Sequence, residues 1–334
     1  MSILLSFAPV LLFLAFLFLL DTFRLVRIST LALVLAWGIL AAAAAYFLNN
    51  WLADSLQLGF KPLSRYVSPV VEELLKALII LYLVSRKKIG FMVDGAIYGF
   101  ATGAGFSLLE NILYLQGATP DYTLLTWFIR GFGTALMHGG CTALLALLLM
   151  GGMHRSGKMI AAMWPGLLIA FLLHSAYNHF PVNPMVQTLF IMILLPLVLM
   201  ITFHLSERKF QQWLEIEFNS EIELVKMIRI GQFRSTKAGL YLVSLKNHFS
   251  PEMLVDLYCY ISLYLELSIK AKRNLMLKEN GFPVMAEKDL MPKLKELAAI
   301  RKKIGLMGES ALAPLIRMNY KNLWKLNRLQ DDTK

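Results

Sequence analysis

Charge is scarce in this chain. Only 16% of its 334 residues are Asp, Glu, Lys or Arg, and 57% are hydrophobic, where a soluble domain carries about 25% charged residues. Two cysteines, Cys141 and Cys259, are too few for a disulfide framework or for a structural zinc site built on thiolates. No HExxH sequence occurs, and no GxSxG on a suitable fold, which sets aside soluble zinc proteases and serine hydrolases. No run of basic residues carries the aromatic spacing of a single-strand nucleic-acid binder. Internal repeats, phosphate loops and low-complexity runs are missing too. The net charge of +11 is therefore assigned to the ends of apolar segments and to the tail. There Lys and Arg favour the cytoplasmic side and anionic lipid, and no nucleic-acid partner is expected.

The scarcity is confined to one part of the chain. Residues 1–205 hold 11 Lys/Arg and 7 Asp/Glu, and residues 206–334 hold 22 and 15. Crossing the hydrocarbon core takes about 20 apolar residues in a helix. Seven stretches qualify: 2–20, 28–49, 68–85, 90–115, 125–151, 159–180 and 184–205. The first has no basic n-region and no small-residue cleavage site before Asp21, so it reads as a retained span and not as a signal peptide. The expected fold is all-α, a polytopic transmembrane bundle over 1–205 followed by a basic helical domain over 206–334. Helical spacing at Leu254, Leu257, Ile261 and Tyr264, with turn signals at Ser250-Pro251, Gly281-Phe282-Pro283 and Gly305, supports the second part. The cluster Arg301, Lys302 and Lys303 reads as a solvated helix face before it reads as a contact with the inner leaflet.

Short loops predict the orientation. Arg24 and Arg27 follow the first span, Arg86, Lys87 and Lys88 the third, and Arg155 and Lys158 the fifth. The loops at Gln116–Asp121 and Pro181–Pro184 carry no Lys or Arg. The positive-inside rule then puts the N terminus outside and the C terminus in the cytoplasm. Lys61 and Arg65 alone dissent. A bacterial inner membrane is the expected location.

Ionisable residues within spans are costly and commonly functional. The third span carries Glu72, Glu73 and Lys76; Glu73 and Lys76, three apart, share a face, and one ammonium neutralises one carboxylate. The bland alternative is the interfacial end of a span, where Glu costs little. The fourth carries Phe106, Glu110, Asn111 and Tyr114 below Gly95, Gly99 and Gly103, whose spacing of four makes a smooth face for close packing. Tyr114 lies one turn beyond Glu110, within reach of a hydrogen bond near it. The fifth carries His138. The sixth carries His174 and Asn178, four apart and on one face, so that Asn178 is placed to hold the imidazole or to bind substrate. With about 1.5 Å of rise per residue and the predicted orientation, these groups share the outer half of the bilayer. Several carboxylates with two imidazoles suit water activation: one carboxylate takes a proton from water, a second acid protonates the leaving amine, and Asn178 or a histidine holds the oxyanion.

The ordered set Glu72-Glu73-x-x-Lys76, Phe106-x-x-x-Glu110-Asn111-x-x-Tyr114, His138 and His174-x-x-x-Asn178, with Val93-Asp94-Gly95 through Tyr98-Gly99 to Gly105-Phe106, resembles the PrsW-type intramembrane proteases. It is similar to them over residues 68–180. That family is related to the CAAX prenyl protease and bacteriocin-processing group. The resemblance implies peptide-bond hydrolysis in or near the bilayer, for which first-site cleavage of a membrane-bound anti-sigma factor is the type activity. It implies Glu72 and Glu73 as the water-activating pair, Glu110 and His138 as catalytic or metal-linked, and His174 with Asn178 completing the site. Lys76, Phe106, Asn111 and Tyr114 would support them. A divalent metal such as zinc on Glu110, His138 and His174 is one implied mechanism, and a metal-free glutamate protease the other. The expected partners are a membrane-tethered protein substrate and the lipid bilayer. The alternatives are a proton- or ion-coupled transporter using the same buried Glu and His, and a non-catalytic scaffold, which has no need of them. The seventh span lacks a lysine for a retinal Schiff base, which makes a rhodopsin-like receptor a poor reading.

Overall fold

Where no water competes, every backbone N–H and C=O must find its partner within the chain, and an uninterrupted apolar segment meets that demand as a helix. The computed structural model describes residues 2–19, 21, 25–116, 123–156, 158–284, 287, 289–316 and 320–331. Among them every regular element is helical. Seven helices of 18 or more residues occupy the first part: α1 (Ser2–Leu19), α2 (Ile28–Ser55), α3 (Ser68–Ser85), α4 (Met92–Gln116), α5 (Ala135–Ser156), α6 (Met159–Asn178) and α7 (Pro184–Arg229). Each of the seven expected apolar stretches overlaps one of them. π-helical segments, Leu63–Val67 and Ile129–Thr134, run directly into α3 and α5. Arg24 and the loop residues 117–121, used above to orient the chain, lie outside the described residues.

By length and apolar composition four helices suffice to cross a membrane: Ile28–Ser55, Leu124–Met153, Met159–Asn178 and Pro184–Ser206. α1 adds a shorter apolar stretch, Phe7–Leu19. α3 and α4 are more polar, because they carry Glu72, Glu73 and Lys76, and Asp94 and Glu110. Large apolar side chains project outward along these helices, including Leu12, Leu40, Phe47, Ile160, Leu172 and Ile193. Apolar surface on that scale calls for lipid.

The chain forms two compact units, Met1–Glu207 and Arg208–Lys334. In the first, α4 is central. Its glycines let neighbouring backbones approach: a Cβ on Gly99 would lie 2.5 Å from the Thr142 carbonyl oxygen, and one on Gly103 2.2 Å from that of His138, both on α5. On its other side Gly105 meets the Leu35 carbonyl, where a Cβ would sit at 2.2 Å, and Gly38 of α2 faces Thr102 in the same way. Asp94 accepts from the backbone N–H groups of Gly90, Phe91 and Gly95, which satisfies donors that the first turn of α4 leaves open.

The second unit holds the end of α7 with α8 (Lys237–Ser244), α9 (Pro251–Glu279), α10 (Leu290–Leu312) and α11 (Tyr320–Asp331). Leu257, Tyr260, Ile261 and Tyr264 of α9 anchor its core, with Leu297, Leu312 and Leu329. Ser250 caps α9 by accepting from the Met253 N–H. α10 breaks at Gly305, whose φ of 61° is left-handed and suits glycine; Arg301 and Glu309 pair at 2.8 Å across the break.

Candidate active site

The polar residues of α3, α4, α5 and α6 meet in one cluster. On α3, Lys76 Nζ donates to Glu73 Oε1 at 2.6 Å, and both side chains are completely buried. His174 Nδ1 of α6 lies 2.8 Å from the same oxygen. An oxygen that already takes a lysine N–H is an acceptor, so His174 Nδ1 carries the proton and its Nε2 lone pair points the other way. That nitrogen faces Glu72 Oε2 at 3.8 Å. Glu72 is in turn approached by Asn49 Nδ2 of α2 at 3.4 Å.

His138 is held from both sides. Lys76 Nζ is 3.2 Å from Nδ1, and Glu110 Oε2 is 3.0 Å from Nε2. Lysine has only donors, so Nδ1 accepts from Lys76 and Nε2–H donates to Glu110. The imidazole packs on Phe106 with ring centroids 5.0 Å apart, and edge-on to His174 at 4.8 Å. Phe106 also lies under the Lys76 ammonium at 4.9 Å, a cation–π contact. The glycine at 103 makes this possible, since it lets α4 close on the His138 backbone.

Arg130, on the π-helical segment before α5, completes the outer edge. Its Nε donates to Asn111 Oδ1 at 3.1 Å, its guanidinium lies 3.5 Å from the Tyr114 ring centroid, and Nη2 is 3.5 Å from Glu110 Oε2. Tyr114 thus meets Arg130 by its ring face. Asn178 points elsewhere: its Nδ2 donates to the Ser64 carbonyl at 2.9 Å, and Ser175 Oγ to that of Arg65 at 2.6 Å. Both tie α6 to the π-helical segment that leads into α3, and so align Glu73 with His174.

Sequence reasoning passed over Arg130 and Asn49. The signal for Arg130 was present, as a lone charge inside the apolar run 124–153. Asn49 had none, because its partner is 23 residues away on another helix.

Ligand atoms of Glu72, His138 and His174 lie within 4.8 Å of one another. Two imidazoles and a carboxylate are a common catalytic zinc donor set. Glu73 Oε2 is buried without a hydrogen-bond partner, an orphaned acceptor in the middle of this cluster, and Glu73 holds His174 by Nδ1, as a carboxylate behind a metal-bound imidazole fixes its ring. The residues therefore fit a divalent metal. Glu110, by contrast, is engaged by His138 and Arg130.

Residues 27–203 match the family model described as PrsW family intramembrane metalloprotease. No curated protein and no solved structure matches the chain.

Proposed function

The chain belongs to the PrsW family of intramembrane metalloproteases, and we propose that it is an endopeptidase that cuts a membrane-tethered protein in or beside the bilayer, as in first-site cleavage of an anti-sigma factor during regulated proteolysis. Family membership supports a multi-pass membrane protein and a protease over a transporter, and the retained Glu, His and Asn residues weigh against a non-catalytic scaffold; the substrate and the residue roles are the proposal. The location proposed is the bacterial inner membrane. The observation that carries the reading is Glu73, fully buried, with one oxygen held by Lys76 and His174 and the other unpartnered.

In this mechanism Glu73 is the general base. Oε2 takes a proton as the water oxygen bonds to the scissile carbonyl carbon, and the carbonyl π pair moves onto oxygen. When the oxyanion re-forms the carbonyl, the C–N bond breaks with its electrons on nitrogen, and Glu73 returns the proton to that amine. Lys76 holds Glu73 in place between turnovers. Glu72, His138 and His174 would hold a divalent metal such as zinc, which acidifies water and polarises carbonyls when bound. Glu110 orients His138, and Asn178 holds the π-helical segment that leads to Glu73.

One observation favours the metal-free glutamate reading. Both ring nitrogens of His138 are engaged, by Lys76 and by Glu110, so a metal on this imidazole has to displace one of them. Elemental analysis of purified protein, with and without chelator, separates the two; an active preparation without metal selects the glutamate mechanism.

The protease reading is tested by co-expression with candidate membrane proteins, found by comparing membrane proteomes with and without the active chain. Glu73→Gln and His174→Ala are each expected to abolish cleavage while the protein stays in the membrane. Full cleavage by both variants would falsify it.

A further inference from the structure

Arg130 is the charged residue of this site to which no motif gives a role. It is held by three groups of α4: Asn111 takes its Nε–H, Tyr114 stacks under its guanidinium, and Glu110 stands 3.5 Å from Nη2. Its side chain is only 11% exposed. The Nη2 donor is nonetheless buried without a hydrogen-bond partner. A buried donor without a hydrogen bond is costly even beside a counter-ion, and such groups persist where a ligand or reaction uses them. The oxygen it borders, Glu110 Oε2, is the one that receives His138 Nε2–H, so Nη2 stands at the edge of the catalytic cluster. Its backbone lies in a π-helical segment, an irregularity that recurs at functional sites.

We infer that Arg130 is the oxyanion donor of this protease. The inference rests on the protease reading above. As water attacks and the π pair settles on the carbonyl oxygen, Nη2–H donates to that oxygen; it releases the oxygen when the carbonyl re-forms and the amine leaves. Asn111 and Tyr114 fix the guanidinium before substrate arrives, so that no reorganisation is needed at the moment of reaction. The specificity of the arrangement comes from its geometry: Arg carries a planar fork of donors, and Lys at this place would satisfy neither Asn111 nor the Tyr114 stack in the same way.

The test uses full-length protein in detergent with fluorescently labelled casein as the probe, then two peptides spanning the cut found by mass spectrometry. One is the plain peptide in Glu73→Gln background. The other carries a phosphinic group in place of the scissile amide, a tetrahedral anionic mimic. Removing one oxyanion donor costs about 10²–10³ in kcat, and that loss is expected for Arg130→Gln with KM unchanged. Arg130→Gln is expected to weaken the phosphinic peptide and leave the plain peptide's affinity as it was, because only the tetrahedral oxygen carries the charge. Added guanidinium ion is expected to restore part of the rate of Arg130→Ala. Equal weakening of both peptides, or no guanidinium rescue, makes Arg130 a structural tie between helices and overturns the inference alone. Wild-type kcat in Arg130→Gln does the same. Failure of the wild-type chain to cut casein or any membrane-tethered protein overturns the protease reading, and the inference with it.

Discussion

Lys76 decides how the site is balanced. It shares one helix face with Glu73, which the spacing of three made legible, but its second contact, with His138 62 residues away, had no signature in the sequence. A metal dication bound at His138 Nδ1 would compete with the ammonium for that nitrogen. Lys76→Gln keeps a donor for Glu73 and removes the charge. It is expected to raise metal affinity, read by titration and mass-spectrometric metal counting, and to lower the thermal midpoint, since breaking a buried pair costs about 3–5 kcal/mol. Unchanged metal affinity would show that metal does not use His138 Nδ1. Glu73, read with Lys76, and His174, read with Asn178, were both singled out from sequence as polar residues inside spans; that they share a hydrogen bond across 101 positions emerged only from packing.

Helix crossings set the distances inside the site. The Gly95, Gly99 and Gly103 repeat was legible as a close-packing face, and two of its members carry the crossing with α5. Gly103→Ala puts a Cβ 2.2 Å from the His138 carbonyl oxygen, whereas at Gly95 the nearest atoms are side-chain carbons, Met150 Cγ at 3.2 Å and Ile89 Cγ2 at 3.3 Å. Backbone cannot yield as a side chain does. Gly103→Ala is therefore expected to cost about 1–3 kcal/mol, in the range of overpacked cores, and to lower cleavage with it; Gly95→Ala is expected to come closer to wild type in both. Parallel thermal unfolding and casein cleavage check the contrast, and equal effects would contradict it. The second crossing, Gly38 on Gly105, was not legible. Gly38 stands four before Ala42 and Gly105 four after Ala101, but such spacing does not say which helix each face meets. The two π-helical segments were equally invisible, because their register shift is a property of what they pack against.

At the scale of the whole molecule the two units obey different solvents. In the first, large apolar side chains face outward, while Glu73, Lys76 and Asp94 are buried inside. In the second, the surface is charged, yet Lys272 and Lys325 are buried with Glu217 and Glu221: Lys272 lies 3.0 Å and Lys325 3.3 Å from Glu221. Burial pushes the Lys325 ammonium down to about 8 from its usual 10.5, with Lys272 adding to the fall and Glu221 and Glu217 opposing it. An unfolded chain keeps this proton to higher pH than the folded one, so stability rises with pH between the two values. Burial pushes the Tyr264 phenol upward. The unfolded phenol therefore loses its proton first and reverses the slope above about pH 10. Hydrogen exchange in α11, corrected for intrinsic rates, is expected to slow from about pH 8 to about pH 10 in full-length protein, and Lys325→Met to flatten the trend. A wild-type profile without slope would contradict the burial argument. Orientation has its own check: a reporter fused after the last residue is expected in the cytoplasm, and an exported reporter would place the Glu and His residues in the other half of the bilayer.

The sequence by itself determined that the first part is a bundle of apolar helices, that the second is a helical, basic unit, and which rare polar residues stand inside the apolar runs. Those features are local: hydropathy and helical period are read within one or two turns, and a charge in a lipid-facing run is conspicuous wherever it falls. Only the tertiary structure decided which of these residues meet. It joined Glu73 to His174, set Glu72 with the two histidines, turned Asn178 towards the Ser64 carbonyl, and brought Arg130 into the site. Such pairings depend on how four helices rotate about their axes and how closely their backbones approach, and a single helix's sequence leaves both undetermined until its neighbours are in place.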